Sequence, residues 1–250
     1  MSEPQKILIT GAAGRIGSYY RKHISDVYAL RLHDIRAIDE PGEHETMTGD
    51  LADPEEAVRA CAGMDTVLHL AADPRTTAEF YADLLGPNFK ATYNIYRAAK
   101  DQGCKRVIFA SSVNAVGGYP ASRQIRPEDA PWPGNVYGAS KAFGESLGAY
   151  FASAEGLSVI AVRIGAVGEF DDLSKWTRQL HTFFVTYADL AHLFDRCIET
   201  PDINFAIVHG VSNNRFLRLD LTETRRLLNY EPKDDAFAPA GDSTPPPSPW

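Results

Sequence analysis

The chain has 250 residues, of which 44% are hydrophobic and 23% are charged, a balance typical of a globular protein with a buried core. Lys and Arg total 25 against 33 Asp and Glu, and the net charge of -8 argues against nucleic-acid partners. No apolar run is long enough to cross a bilayer, no signal-peptide pattern is present, and Cys61, Cys104 and Cys197 form no closely spaced pair. We therefore expect a cytoplasmic protein with no membrane partner and no disulfide framework.

Short β-branched runs alternate with longer helical patterns through the first two-thirds of the chain. Strands are predicted at residues 6–10, 28–33, 66–70, 106–110 and 158–163, with helices at 15–24, 54–62, 88–102 and 136–155. Asp53, followed by Pro54 and two glutamates, is typical of a helix N-terminus. The alternation predicts right-handed βαβ units and an α/β fold with a doubly wound, Rossmann-type parallel sheet.

The periodicity weakens after Gly165. A loop or short helix is predicted at 167–181, helices at 186–200 and 220–229, and a strand at 204–209. Residues 239–250 contain five prolines, which predicts a mobile tail. We therefore expect a Rossmann core at 1–165, a small C-terminal lobe at 166–238 and a tail at 239–250.

A glycine-rich turn follows the first predicted strand. Gly11, Gly14 and Gly17 are spaced G-x-x-G-x-x-G, which allows a sharp turn, the approach of a diphosphate to bare backbone, and close packing of the next helix. That helix begins at Arg15 and Ile16, where free N–H groups and the positive end of the helix dipole favour phosphates. This order of strand, glycines and helix predicts a dinucleotide-binding core.

Asp34, at the end of the second predicted strand, favours NAD over NADP. An acidic side chain there accepts hydrogen bonds from the adenosine ribose and repels a 2′-phosphate. Arg15 and Arg36 favour the alternative, because either arginine could face a 2′-phosphate. Asp50 and Leu51, after a third predicted strand, are placed to contact the adenine, although Asp50 could instead be a helix cap.

Tyr137 and Lys141 are four residues apart on the predicted helix at 136–155, so they project side by side. A neighbouring ammonium lowers the pKa of a phenol from near 10 by about 1–3 units. The resulting base accepts a proton from a hydroxyl while a hydride passes to a nicotinamide. The pair therefore predicts an oxidoreductase, and since no metal-binding spacing such as HExxH occurs, we expect no metal.

In combination, six motifs resemble those of the extended short-chain dehydrogenase/reductases of the NAD-dependent epimerase/dehydratase type. They are T-G-A-A-G-R-I-G from Thr10, G-D-L from Gly49, H-L-A-A from His69, N-F-K-A-T-Y-N from Asn88, F-A-S-S from Phe109 and Y-G-A-S-K from Tyr137. The resemblance covers residues 6–163, and the later segments are most similar to uronate dehydrogenases and short-chain, NAD-dependent glucose-6-phosphate dehydrogenases. Such enzymes oxidise the anomeric hydroxyl at C1 to a lactone.

The resemblance implies that Tyr137 is the acid/base, that Lys141 binds the nicotinamide ribose, and that Ser111 and Ser112 flank the nicotinamide. The implied catalytic residues are Tyr137, Lys141 and Ser112. The cofactor-binding residues expected from the motifs and the resemblance are Gly11, Gly14, Arg15, Ile16, Gly17, Asp34, Asp50, Leu51, Leu70, Ala71, Ala72, Asn88, Ser111, Tyr137, Lys141 and Ile164. The expected substrate-binding residues are Asp73, Ser112, Asn114, Ala166 and Arg178.

One departure from the family pattern lies beside the presumed catalytic pair. Val113 occupies the position where many extended members carry Ser or Thr. Because valine neither donates nor accepts a hydrogen bond, Ser112 or Asn114 must supply the polar contact, or catalysis is impaired.

Further departures fall in the presumed substrate pocket. Serines of the uronate dehydrogenases are replaced here by Pro74 and Ala166. The arginine that would hold a sugar carboxylate has no exact counterpart, since Arg178 lies one position away and Arg75 is a second cation nearby. We therefore expect dehydrogenase chemistry with an altered substrate pocket.

Three hypotheses for function follow. The first is an NAD-dependent dehydrogenase acting on C1 of an aldose, uronic acid or sugar phosphate. The second is a nucleotide-sugar epimerase or dehydratase with tightly bound NAD, although only about 85 residues follow Gly165 to form its larger lobe. The third is a dinucleotide-binding protein without catalysis, favoured by Val113 and opposed by Tyr137 and Lys141. By analogy with the family, the helices at 88–102 and 136–155 are expected to form a homodimer contact.

Overall fold

A seven-stranded parallel sheet forms the centre of the fold. The computed structural model describes residues 4–24, 26 and 28–238, so the predicted tail at 239–250 lies outside the described residues. The strands pair in the order β3-β2-β1-β4-β5-β6-β9, with the direction of winding reversing between β1 and β4. They are β1 (Lys6–Thr10), β2 (Ala29–Asp34), β3 (Glu45–Thr48), β4 (Thr66–His69), β5 (Arg106–Ser112), β6 (Ser158–Ile164) and β9 (Phe205–Gly210). The predicted α/β fold with a Rossmann-type sheet is confirmed.

Helices cover both faces of this sheet. They are α1 (Arg15–His23), α2 (Pro54–Cys61), α3 (Ala91–Asp101), α4 (Val136–Glu155), α5 (Arg178–His181), α6 (Tyr187–Glu199) and α7 (Thr222–Leu228). Ile7 and Ile9 of β1 belong to a core with residues of α1, α6 and α7, whereas Leu8 belongs to a core with residues of α2, α3 and α4. Because successive strand residues point to opposite faces, a run of apolar residues is buried on both sides, as in other parallel sheets.

Most boundaries agree with the predicted elements to within one or two residues. The strand at 6–10 and the helix at 136–155 coincide with β1 and α4. The strand predicted at 106–110 continues to Ser112, which brings two serines to its carboxyl end. Asp53 caps α2 as predicted, since its Oδ1 accepts a hydrogen bond from Glu55 N at 3.0 Å.

The predicted helix at 88–102 differs at its start. The structure has a π-helical segment at Phe80–Lys90, which contains Pro87, and this segment continues directly into α3. A helix through Pro87 is unexpected, because proline lacks a backbone N–H and normally interrupts a helix. The wider turn of the π-helix accommodates this residue, and such turns are frequent at functional sites.

The region at 167–181 contains the predicted short helix, α5, and the two short strands that flank the region were not predicted. The short strands β7 (Ala166–Gly168) and β8 (Phe184–Thr186) pair in parallel as a separate sheet, and a 3₁₀ turn at Phe170–Lys175 precedes α5. Strands of three residues are too short to produce a recognisable alternation in sequence. Residues 166–238 thus supply β9, α6 and α7 to the main fold and form a small cluster around Leu173, Phe184 and Phe237.

Within the described ranges, no helix has the length and apolarity needed to span a membrane. Across those same ranges, no group of three or more His, Cys, Asp or Glu side chains is arranged to hold a metal ion.

Candidate active site

The glycine-rich turn lies where β1 ends beside β4. Gly11 has a φ of +70°, and a Cβ there would lie 2.7 Å from Ala71 N on the neighbouring loop. At Gly17 a Cβ would collide with the carbonyl oxygen of Gly11, so glycine lets α1 approach the sheet. No side chain caps the N-terminus of α1 at Gly14, which leaves its first N–H groups available to an anion.

Two cavities adjoin at this turn and together form one elongated cleft. Their volumes are about 580 and about 380 Å³, and both are lined by Gly11, Gly14, Leu70, Ala72 and Pro74. The larger cavity extends toward the ends of β2 and β3, whereas the smaller one extends toward the ends of β5 and β6 and the start of α4. The cleft thus crosses the point where the strand order reverses, which is where dinucleotides bind to such sheets.

Asp34 is a buried carboxylate at the edge of the larger cavity. Its Oδ2 accepts a hydrogen bond from Ala13 N at 3.0 Å, and its Oδ1 accepts one from Arg36 N at 3.0 Å. Arg36 Nε lies 3.5 Å from the same carboxylate, and another nitrogen of this guanidinium donates to Ala13 O. A carboxylate has about four acceptor sites, so Asp34 retains capacity for ribose hydroxyls.

Asp50 and Leu51, which are expected from the sequence to contact the adenine, also line the larger cavity. Asp50 Oδ1 accepts a hydrogen bond from Ala52 N at 2.9 Å, and Leu51 O accepts one from Asn94 Nδ2. The sequence interpretation missed Ile35, which lines this cavity although 65% of its surface is exposed. The signal available in the sequence was an isoleucine directly after the aspartate that ends the strand.

Tyr137 and Lys141 lie on adjacent turns of α4, at the wall of the smaller cavity. Asn135 caps the helix by accepting a hydrogen bond from Gly138 N at 2.7 Å, which places Tyr137 in the first turn. Lys141 Nζ lies 5.6 Å from the centre of the Tyr137 ring and 5.1 Å from that of Phe109. The two side chains are therefore neighbours, as their spacing predicts.

The pKa of Tyr137 differs from the sequence-based prediction. Burial raises the pKa of this phenol above its ordinary value, a hydrogen bond with Ser112 lowers it, and the charge of Asp73 raises it further. Burial also lowers the pKa of Lys141 to about 8. The predicted net lowering of the pKa of Tyr137 is thus wrong for the protein by itself, because desolvation is the largest cause of its shift and opposes the charged form of the phenol.

Ser112 provides the hydroxyl beside Tyr137 that the sequence left open. Ser112 Oγ accepts a hydrogen bond from Asn114 N at 3.1 Å and one from Asn114 Nδ2 at 3.2 Å, and Ser112 lines the same cavity as Tyr137. Val113 is partly buried against the main core and does not line the cavity. The absence of a hydroxyl at Val113 therefore removes no polar group from the lining of the cavity.

Asn88 joins the loop after β4 to α4. Its Nδ2 donates to Asp73 O at 3.1 Å and to Ser140 Oγ at 3.0 Å, and its Oδ1 accepts from Asp73 N at 2.8 Å. Ser140 in turn donates to Tyr137 O. Asn88 lines neither cavity, so it holds the loop of Leu70, Ala71 and Ala72 in position without bordering the cleft.

Ser111 borders the smaller cavity, but its hydroxyl is directed into the protein. It donates to Glu145 Oε1 at 2.5 Å, and both oxygens of Glu145 accept from Arg163 at 2.9 Å. Arg163 is completely buried and Glu145 is 2% exposed. The sequence interpretation missed this network, because a charged residue within a strand or helix pattern gives no sign of its partner.

The predicted substrate residues are not all brought together. Ser112, Asn114 and Ala166 line the smaller cavity with the predicted cofactor residues Arg15, Ile16, Gly17, Ser111 and Ile164, whereas Asp73 lines the larger one. Arg178 lines neither, and its guanidinium carbon lies 5.6 Å from the centre of the Phe237 ring. The residues of this region that do face the smaller cavity are Trp176 and Leu180.

The family model described as the NAD dependent epimerase/dehydratase family matches residues 7–180. The NAD-dependent glucose-6-phosphate dehydrogenase of Haloferax volcanii is 34% identical, with 93% of this chain and 94% of that protein covered. The L-arabinose 1-dehydrogenase (NAD(P)(+)) of the same organism is 30% identical, with 92% and 97% covered.

Among solved structures, a mutant uronate dehydrogenase from Agrobacterium tumefaciens complexed with NAD superposes with a TM-score of 0.86. It is 30% identical, and the match covers 98% of this chain and 92% of that one. The glycine turn, the cleft and the Tyr137–Lys141 pair thus lie within the part of the chain that matches the family model. This chain belongs to the NAD dependent epimerase/dehydratase family.

Proposed function

We propose that this protein is an NAD-dependent sugar dehydrogenase that oxidises the C1 hydroxyl of a free sugar to a lactone. The observation that carries the proposal is the convergence of Ser112, Tyr137 and Lys141 on one cavity that adjoins the glycine turn. The activities named for the Haloferax relatives, on glucose 6-phosphate and L-arabinose, support sugar oxidation. The NAD complex of the similar uronate dehydrogenase supports the cofactor.

The residues along the cleft fit NAD. A Cβ at Gly11 or Gly17 would collide with the backbone, so the turn forms a narrow cradle for the diphosphate at the start of α1. Asp34 would hold the adenosine ribose, Asp50 and Leu51 would contact the adenine, and Lys141 would bind the nicotinamide ribose. When bound, NAD supplies the acceptor for a hydride.

Oxidation removes a hydride from C1 and a proton from the hydroxyl on C1, and the C1–O bond becomes the carbonyl of the lactone. Tyr137, as phenolate, takes that proton on its phenol oxygen. Ser112 orients the reacting hydroxyl by hydrogen bonding, and the ammonium of Lys141 stabilises the phenolate across the short separation of the two side chains. Burial of both groups excludes water, which strengthens their electrostatic interaction.

The two other hypotheses have less support. A nucleotide-sugar enzyme needs a substantial lobe for the nucleotide, whereas much of 166–238 completes the main fold as β9, α6 and α7. Loss of catalysis was suggested by Val113, but Ser112 supplies the hydroxyl next to Tyr137.

We also propose a cytoplasmic homodimer. Tyr93 on α3 and Tyr150 on α4 are 49% and 51% exposed, which gives the two helices apolar surface for contact with a second copy. The three cysteines are buried and unpaired, which favours a reducing compartment.

The proposed function is tested by following NADH formation from NAD with neutral aldoses, uronates and glucose 6-phosphate. We expect turnover with at least one of them, and we expect Tyr137→Phe to lower kcat by about 100-fold or more while NAD still binds. Calorimetric titration with NAD measures that binding. Full turnover by Tyr137→Phe, or no NADH from any sugar with a protein that binds NAD, would contradict the proposal.

A further inference from the structure

The portion of the smaller cavity that follows β6 is apolar. Ala166, Val167, Trp176 and Leu180 line it, together with Pro74 from the loop after β4. Such side chains contact the C–H groups of a sugar ring but offer no partner for a charge. Hydrogen-bonding groups on this cavity come instead from Ser112 and Asn114, which suit hydroxyl groups.

The indole of Trp176 is fixed by its neighbours. Its ring packs edge-on against Phe184, with the ring centres 5.8 Å apart. A Cβ added to Gly168 would lie 2.7 Å from Trp176 Cη2, so the absence of a side chain at this residue sets the position of the indole. The wall is therefore built into the fold and does not depend on an exposed, mobile side chain.

Cations are poorly placed to hold an anionic substrate. Counting the residues that the structure describes, the cationic side chains lining the smaller cavity are Arg15 and Lys141. Arg15 begins α1 beside the glycine turn, and Lys141 lies against Tyr137 and Phe109. Arg178, whose guanidinium lies against the Phe237 ring, does not face the cavity. The one guanidinium among these described lining residues is therefore that of Arg15 at the glycine turn, and the portion formed by Ala166, Val167, Trp176 and Leu180 carries no planar fork for a carboxylate or phosphate.

Carboxylates lie near the same region. The charge of Asp73 acts on Tyr137, and an Asp172 oxygen would lie 3.0 Å from a Cβ at Gly168, next to Trp176. Lys175 pairs with Asp172, but 70% of its side chain is exposed, so solvent screens its charge. Both carboxylates already have cationic partners, Arg75 for Asp73 and Lys175 for Asp172, so these two cations are engaged and do not offer a free charge to a substrate carboxylate or phosphate.

We infer that this cavity selects neutral aldoses and discriminates against uronates and sugar phosphates, an inference that rests on the proposed dehydrogenase function. The hydroxyls of the sugar bind to Ser112 and Asn114, while one face of its ring packs on the wall formed by Val167, Trp176 and Leu180. The specificity is decided by the apolar wall and by the direction of Arg178 away from it.

Matched pairs of sugars test the inference. The purified protein is assayed for NADH formation with galactose against galacturonate, and with glucose against glucuronate and glucose 6-phosphate. We expect kcat/KM to be at least about 10-fold higher for the neutral member of each pair. Equal or higher kcat/KM for a charged member overturns the inference and leaves the dehydrogenase proposal standing. No NADH from any of these sugars would instead count against the dehydrogenase proposal itself, and the inference would fail with it.

A cation introduced on the wall provides a gain-of-function test. We expect Leu180→Arg to raise the galacturonate-to-galactose ratio of kcat/KM by about 10-fold, because it supplies the missing fork. Val167→Lys places a cation at a second position on the same wall. The melting temperature of each variant shows whether it folds. An unchanged ratio in two folded variants overturns the inference.

Arg178→Gln is the matched control. Because Arg178 faces Phe237, this variant should change the same ratio by less than about twofold. A selective loss of activity on uronates would show that Arg178 reaches the substrate and would overturn the inference. Gly168→Ala should raise KM for neutral aldoses with little change in kcat, because it displaces Trp176 from the wall.

Discussion

Tyr137 shows how far a buried side chain can depart from its intrinsic chemistry. Burial raises the pKa of its phenol and lowers the pKa of Lys141 to about 8, so Tyr137 is neutral near pH 7 whereas Lys141 still carries its charge there. In the proposed mechanism, the phenolate needed for proton removal would be stabilised by Lys141 and, once NAD is bound, by the positive charge of the oxidised nicotinamide.

We expect kcat/KM for sugar oxidation to rise as the pH increases above 7. The base form of Tyr137 is required, and a raised pKa moves its deprotonation to more alkaline pH. Lys141→Gln should move this rise further to alkaline pH and lower kcat, because the phenolate loses its ammonium neighbour. Initial rates between pH 6 and about 10 measure the shift; an identical profile for the variant would contradict the role of Lys141.

We propose that Asp34 carries the preference for NAD. We expect Asp34→Asn to raise the NADP-to-NAD ratio of kcat/KM by about 10-fold or more, because the repulsion of a 2′-phosphate disappears and Arg36 loses its ion pair. Asp50→Asn, in the same cavity, is the control and should leave the ratio nearly unchanged. A similar change of this ratio in both variants would show that Asp34 does not discriminate between the two adenosine riboses.

At the scale of elements, α4 is fixed to the sheet by charges that the sequence does not reveal. Glu145 on α4 binds Arg163 on β6 and Ser111 on β5, and Arg163 also donates to Asp129 O in the loop that leads to α4. Four segments are therefore joined next to the cleft. This network holds the helix that carries Tyr137 and Lys141 against the two strands that end at the same cavity.

Glu145→Gln should lower the free energy of unfolding by about 3–5 kcal/mol, because it leaves the buried Arg163 without a counter-charge. Glu155→Gln is the control on the same helix: its partner Arg97 is 32% exposed, so solvent screens this pair and the change should cost much less than Glu145→Gln. Urea denaturation of the two variants measures both values. Equal costs would mean that the buried network contributes no more than a surface ion pair.

Across the whole molecule, two buried histidines make stability depend on pH. Burial lowers the pKa of His69 on β4 to about 3 and that of His209 on β9 to about 4. His69 Nδ1 shares a hydrogen bond with Thr10 Oγ1 at 2.8 Å, and His209 Nδ1 donates one to Asp220 O at 2.7 Å. Both rings are therefore neutral in the folded protein, as expected of histidines within a packed core.

We expect the free energy of unfolding to fall as the pH decreases from about 6.5 toward about 4, by about 1.4 kcal/mol per pH unit for each histidine. The free energy of unfolding falls because, below pH ~6.5, the unfolded chain takes up protons that the folded protein does not bind. Urea denaturation at several pH values measures this slope. His209→Gln should reduce it by about half, and an unchanged slope in this variant would contradict the assignment to His209.

The local parts of the fold and site could be read from the sequence. The strands of the parallel sheet, the glycine turn, Asp34 and the pairing of Tyr137 with Lys141 all depend on patterns within short segments, where strand or helix periodicity determines which residues face one side. Such patterns survive folding because the backbone geometry of each element is the same wherever the element packs.

The tertiary structure alone decided the features that depend on contacts between distant segments. Arg178 lies against Phe237 instead of facing the cleft, Ser112 takes the place beside Tyr137 that Val113 leaves, and β7 pairs with β8. The raised pKa of Tyr137 likewise arises from burial, which the spacing of Tyr137 and Lys141 does not contain. Direction, partner and degree of burial are set by the packing of the whole chain, and they determine which sugar the cavity can accept.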